Sequence, residues 1–329
     1  MKKMKKMKKA INLLAILLLL QTTAHADDIS VKEILITESN TYHKVKKTWQ
    51  KIYSELTTSG TSARGAAYIA PVKGNGTTDA LHKNGARNTI IFVPENTDFI
   101  KPVDVIFWFH GLGGFKERDF GTRVLRHTGS LDQENYIIII PEMPWSRHTS
   151  TPRQRQGRVF HKKGQFSTFV SSVIRTMVSL FNPSPVVRNK CITHNVCDFK
   201  FGEAALIGHS AGGSTLMSIS RTGGLDWLYK KAASIKIVFS DAGYGRWTDI
   251  TWKYFKARHA RNVNFVLLTR KWDRPYANTK RFLKKFRNMP FNIIHKVFER
   301  KEKTHAGIGD IAFTYTHILH DSGCGEGNK

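Results

Sequence analysis

Apolar residues recur along most of this chain as short continuous runs, separated by segments with helical spacing. VDVIFWF (103–109) and YIIII (136–140) carry almost no polar side chain. That is the pattern of strands covered on both faces in a parallel sheet. EAALIG (203–208), SIKIVFS (234–240), NVNFVLLT (262–269) and FNIIHKVF (291–298) continue the series. Between them FSTFVSSVIRTMVSLF (166–181), STLMSIS (214–220) and ANTKRFLKKF (277–286) repeat apolar positions at helical steps, which predicts helices. Upstream, AAYIAPV (66–72) and NTIIFVP (88–94) read as strands on either side of a glycine-rich turn at Gly74-Asn75-Gly76. Earlier still, TYHKVKKTWQKIYSEL (41–56) places Val45, Trp49, Ile52, Tyr53 and Leu56 on one helical face. Strands alternating with helices imply right-handed crossovers and an α/β sandwich. In such sheets ligands sit beyond the carboxyl ends of the strands, so the loops after each apolar run are where chemistry is expected.

The first 26 residues follow a different pattern. Six lysines precede an apolar run from Ala10 to Leu20, and Ala24-His25-Ala26 supplies a small-residue cleavage pattern. This predicts a secretory signal peptide and export to the periplasm or beyond the cell. The run is too short to span a bilayer comfortably, and no later stretch approaches spanning length, so no transmembrane segment is expected. The predicted division is a signal peptide over 1–26, an N-terminal extension with one helix over 27–60, and a catalytic domain over 61–329. Cys191 and Cys197 bracket ITHNV and could close a short disulfide loop in an oxidising compartment, with Cys324 left free or paired with one of them. His194 and Asp198 add too few ligands for zinc. His317 and His320 read as a solvated helix end, so no metal is expected.

The chain carries a formal net charge of +27. Such a surface attracts anionic polymers, glycans or headgroups. No motif that reads nucleic acid accompanies the charge, so specific nucleic-acid binding is not expected.

Chemistry gathers around ALIGHSAGGSTL (205–216), where Gly208, Ser210 and Gly212 fit G-x-S-x-G between a strand and a helix. That context suits a nucleophile on a tight turn, with the Ala211 amide at a helix N-terminus ready to hold an oxyanion. FHGLGG follows the run ending at Phe109 and offers a second amide, that of Leu112; His110 reads as a structural hydrogen-bonder. A serine needs a base, and the base needs an orienting acid. His305 follows the last strand, and Asp273 in RKWDRPY follows the strand before it. Asp241 in VFSDAGYG, beyond an earlier strand, is the alternative acid.

With these motifs in order, the chain resembles the α/β-hydrolase superfamily over residues 60 to 320. RNTIIFVPENTDFIKPVDVIFWFHGLGG is similar to the opening of secreted polyhydroxybutyrate-depolymerase-like and feruloyl-type esterases, where a strand ending in V-P leads to H-G-x-G-G. The resemblance implies a mostly parallel sheet with helices on both faces. It also implies Ser210 as nucleophile, His305 as base, Asp273 as acid, and the Leu112 and Ala211 amides as oxyanion hole. No cofactor is implied. Only about two dozen residues separate FSDAG from the next strand, which leaves room for one helix and not for a large lid. Arg147, Arg153, Arg155, Arg270 and Lys271 fall in loops on the active-site side and predict a basic substrate rim. The expected substrate is a small or polymeric ester, with a preference for anionic material. Two alternatives stand: a secreted peptidase or amidase with the same triad, and a non-catalytic basic polymer-binding protein on this scaffold. Nothing in the sequence indicates an oligomeric state.

Overall fold

The computed structural model describes residues 32–36, 65–73, 86–94, 97–99, 101–112, 135–143, 160–181, 201–257, 262–286 and 293–316. All lie within the unit Lys32–Lys329. The signal peptide, the helix expected over 41–56, Arg147, Arg153, Arg155, Cys191, Cys197, Cys324, His317 and His320 fall outside the described residues.

The described strands are β1 (Lys32–Ile36), β2 (Gly65–Lys73), β3 (Ala86–Pro94), β4 (Val103–Phe109), β5 (Tyr136–Pro141), β6 (Phe201–His209), β7 (Ala232–Ser240), β8 (Val263–Arg270) and β9 (Ile293–Phe298). They form a single sheet in the order β1-β2-β3-β5-β4-β6-β7-β8-β9. β1, β2, β3 and β5 pair antiparallel in turn. From β5 to β9 every pairing is parallel. β1 was not legible in the sequence: KEILI is a five-residue edge strand, paired on one side only, and lacks the long apolar run of the interior strands.

The helices are α1 (Gln165–Phe181), α2 (Gly213–Arg221), α3 (Gly224–Lys231), α4 (Trp247–Ala257), α5 (Arg274–Lys285) and α6 (His305–Ile311). A 3-10 turn (Ser210–Gly212) precedes α2, and another (Ala312–Thr316) follows α6. Successive side chains of a strand point to opposite faces, and β4 shows both faces covered. Phe107 meets Phe166 of α1 with ring centroids 5.4 Å apart, while Trp108 meets Phe313, beyond α6, at 5.0 Å. On the Phe107 side Trp252 of α4 packs edge-on against Phe265 of β8 at 5.2 Å. α4 is the one helix described between β7 and β8. No helix among the described residues is long and apolar enough to cross a membrane.

One polar pair interrupts this core. Lys236 of β7 is fully buried, and its Nζ lies 2.6 Å from Glu203 Oε1 on β6. Removing one member of such a pair leaves the other charge uncompensated in a low dielectric. Glu203→Ala is expected to lower the unfolding free energy by about 3–5 kcal/mol, read by denaturant titration.

Candidate active site

β6 delivers the buried run Ala204 to His209 to the carboxyl edge of the sheet, and the chain then reverses into the 3-10 turn that begins at Ser210. Ser210 has φ +52°. A left-handed backbone costs an ordinary L-residue roughly 1–2 kcal/mol, and strain of this kind collects at functional sites. Two glycines allow the turn. A Cβ on Gly212 would run into the carbonyl oxygen of Phe109 at the end of β4, and one on Gly111 would sit 2.9 Å from Ser210 Cβ. The loop after β4 is therefore pressed against Ser210. This brings the segment containing Leu112 beside the turn that carries Ala211, the two residues whose amides the sequence proposes for an oxyanion hole. Leu112 itself is 62% exposed. His110 is tied into the scaffold: its Nδ1 is 2.8 Å from the Gly111 carbonyl oxygen, and its Nε2 accepts from the Met143 amide at 2.9 Å.

His305 opens α6, whose N-cap Thr304 accepts a hydrogen bond from the Gly307 amide at 3.0 Å. His305 Nδ1 lies 2.6 Å from Asp241 Oδ2. Asp241 is fully buried just beyond β7, has φ +45°, and donates its own amide to the Leu268 carbonyl at 2.7 Å. Its second oxygen, Oδ1, is 3.5 Å from the Arg270 amide. The carboxylate accepts from Nδ1–H, which leaves Nε2 as the ring nitrogen able to take a proton. Two further bonds hold α6 in place. His209 Nε2, on the residue before Ser210, is 3.0 Å from the His305 carbonyl oxygen, and Ser240 Oγ donates to the Ile308 carbonyl at 2.9 Å.

Asp273, which the resemblance made the acid, is placed elsewhere. Its Oδ2 accepts from Arg270 Nε at 2.6 Å and its Oδ1 from Arg300 Nη2 at 2.7 Å. Burial alone would push this carboxyl's pKa up, but the two guanidinium groups outweigh it and hold it below the usual carboxylate range. The geometry thus joins His305 to Asp241, the alternative, and commits Asp273 to two arginines. Of the basic rim, Arg270 and Lys271 are described; Lys271 pairs with Glu299 at 2.7 Å. His295 packs inside β9 with Nε2 3.0 Å from Thr269 Oγ1, and burial lowers its pKa.

Tyr244 is a site residue that sequence reading missed. It lies three residues beyond Asp241, and its phenol sits near the Ser210 side chain. Burial and the nearby Asp241 charge raise its pKa, so it remains a neutral hydroxyl through the physiological range. Its only sequence signal was its place in SDAGYG beyond a strand end. Trp272 also escaped notice. It stands 73% exposed with φ +69° in the loop after β8. Leu112 and Trp272 follow strands three steps apart in the sheet, roughly 14 Å at ordinary strand spacing.

A mostly parallel sheet flanked by helices, with its serine turn after β6 and its histidine after β9, defines an α/β-hydrolase fold. No family model and no curated protein sequence matches the chain. Among solved structures, the feruloyl esterase module of Clostridium thermocellum is similar at 13% identity and TM-score 0.48, covering 80% of this chain and 92% of that one. An S-formylglutathione hydrolase from Agrobacterium tumefaciens is similar at 13% identity and TM-score 0.42, over 77% and 93% of the two chains. A fluorophosphonate-binding serine hydrolase from Staphylococcus aureus is similar at 12% identity and TM-score 0.43, over 76% and 98%.

Proposed function

We propose that the chain is an exported serine hydrolase that cleaves carboxylic esters through an acyl-enzyme. The observation that carries this reading is the buried Asp241 carboxylate 2.6 Å from His305 Nδ1, set beside a serine held at φ +52°. In the mechanism, His305 Nε2 takes the Ser210 proton as Oγ attacks the ester carbonyl. Asp241 fixes the imidazole tautomer and stabilises the imidazolium. The Leu112 and Ala211 amides hold the tetrahedral oxyanion. The imidazolium then protonates the leaving alcohol, and water enters by the reverse of the same steps to release the acid and restore Ser210. Asp273 takes no part in proton transfer, because its two oxygens are bound by Arg270 and Arg300.

The export signal over 1–26 and the catalytic domain over 61–329 belong to the same proposal, with β1 joining the N-terminal extension to the sheet edge. Basic residues in the loops beyond the strand ends favour small or polymeric esters that carry negative charge. The experiment that tests the reading is treatment of the folded mature protein with a fluorophosphonate, followed by peptide mass spectrometry. Stoichiometric labelling of Ser210 is expected. A folded protein that does not label would overturn the reading in favour of a polymer-binding protein. Cleavage of a matched amide faster than its ester would replace esterase with amidase.

A further inference from the structure

His209 ends β6, directly before Ser210, and is 4% exposed, yet the proposed mechanism gives it no step. Its Nε2 is 3.0 Å from the His305 carbonyl oxygen. A carbonyl oxygen only accepts, so this nitrogen carries the proton and donates. It therefore holds the main chain of the proposed base. The ring reaches the same residue by a second route, its centroid lying 4.8 Å from that of the His305 imidazole. It also stacks on Trp108 of β4 at 5.8 Å, with the planes 8° apart, and Trp108 in turn meets Phe313 beyond α6. Room for the ring is kept on α6 itself: a Cβ on Gly309 would lie 3.0 Å from its Cδ2.

These contacts matter because the bond to Asp241 leaves the orientation of His305 underdetermined. One hydrogen bond from Nδ1 to Asp241 Oδ2 fixes a corner of the ring but allows the ring to swing about that corner. Nε2, the far nitrogen, moves most in such a swing, and a base acts only within about 2.6–3.2 Å of the group whose proton it takes. The His209 bond pins the backbone from which the ring hangs, and the neighbouring His209 ring limits the swing. His209 is joined to the nucleophile by a peptide bond, so the two reacting side chains share one support. Ser240 supplies the contrast. Its Oγ holds the same helix through the Ile308 carbonyl at 2.9 Å, roughly one turn beyond the base.

We propose that His209 is a positioning residue, which locks His305 to the Ser210 turn and keeps His305 Nε2 within reach of the serine Oγ. This rests on the serine-hydrolase reading above and adds to that site a residue outside the triad. His209 moves no proton and touches no substrate; it acts through His305.

The test measures kcat and KM on p-nitrophenyl acetate, the rate of fluorophosphonate labelling, and Tm. The mature wild type is compared with His209→Gln, His209→Asn, His209→Phe and Ser240→Ala. The longer amide of His209→Gln can place a donor near the position of Nε2, the shorter one of His209→Asn cannot, and His209→Phe keeps a ring on Trp108 without the donor. In His209→Asn and His209→Phe kcat is expected to fall about 10²-fold with KM little changed, the loss that a displacement of about 1 Å brings. His209→Gln should recover about tenfold of that loss, the worth of one hydrogen bond. Labelling rates should fall in the same order as kcat. Ser240→Ala, which loosens α6 away from the base, should lower Tm but reduce kcat far less than His209→Asn. If His209→Gln and His209→Asn are equally active, or if kcat falls only in proportion to Tm across the four variants, His209 serves the fold alone and the positioning role is overturned. The pair of amide variants decides the matter even where His209→Phe does not fold. A wild type that fails to label overturns the hydrolase reading, and this role with it; a wild type that labels, with His209 variants labelling at the same rate, overturns the role alone.

Discussion

Ser210→Ala is expected to lower kcat on an activated ester by about 10⁶-fold, because the triad acts as a unit and is lost once its nucleophile is gone. The fold should survive, since Ser210 sits on the turn as its functional tip and contributes little core. Ser210→Gly makes the test sharper. Both variants lack the nucleophile, but glycine adopts φ +52° without a steric penalty, whereas alanine keeps the strain. Thermal unfolding should therefore show Ser210→Gly at least as stable as Ser210→Ala, despite glycine's greater entropy in the unfolded chain. Turnover near the wild-type rate in either variant would refute Ser210 as nucleophile.

The second large effect separates the two aspartates. Asp241→Asn replaces an acceptor by an amide that can donate to His305 Nδ1, which stabilises the tautomer with its proton on Nε2. A ring in that state cannot take the serine proton, and kcat should fall about 10⁴-fold, as in triads whose acid is made an amide. Asp273→Asn should lower kcat by about tenfold or less, since it breaks only the charge pairing with Arg270 and Arg300. Its effect should lie in stability and follow pH. The folded-state pKa of Asp273 is depressed, so its stabilisation is present above the unfolded pKa and lost as pH falls through the folded one. The gap in Tm between wild type and Asp273→Asn should therefore be open at neutral pH and close in acid. Equal kcat losses in Asp241→Asn and Asp273→Asn would undo the assignment of Asp241.

The chemistry was legible where it sits directly beyond an apolar run. Ser210 follows ALIG, Asp241 follows IVFS, and the β4 loop begins at Phe109, so the strand-end rule locates them without coordinates. The choice of acid was not legible. Asp241 and Asp273 each follow a buried strand, and which one meets His305 depends on the parallel register of β7 and β8 and on where the His209 and Ser240 bonds hold α6. RKWDR contains the hint in hindsight: a carboxylate with arginines at hand tends to be paired with them. Tyr244 gives no periodic signal, because a single aromatic in a loop reads the same whether it faces solvent or a serine. α3 was missed for another reason. GLDWLYKK is only two turns long, and its apolar positions are too few to stand out.

The site draws on parts of the chain that are far apart: Asp241 and His305 are separated by 64 residues, and His209 and His305 by 96. Contacts with such long loops close late, after the entropy of bringing distant segments together has been met. During synthesis, α6 is among the last described elements to leave the ribosome, and in the proposed mechanism Ser210 lacks its base until α6 docks against His209. On that mechanism a nascent or half-folded chain does not attack esters around it. The proposed nucleophilicity of Ser210 would then be a property of the finished sheet alone, so that chemical reactivity and conformational maturity coincide.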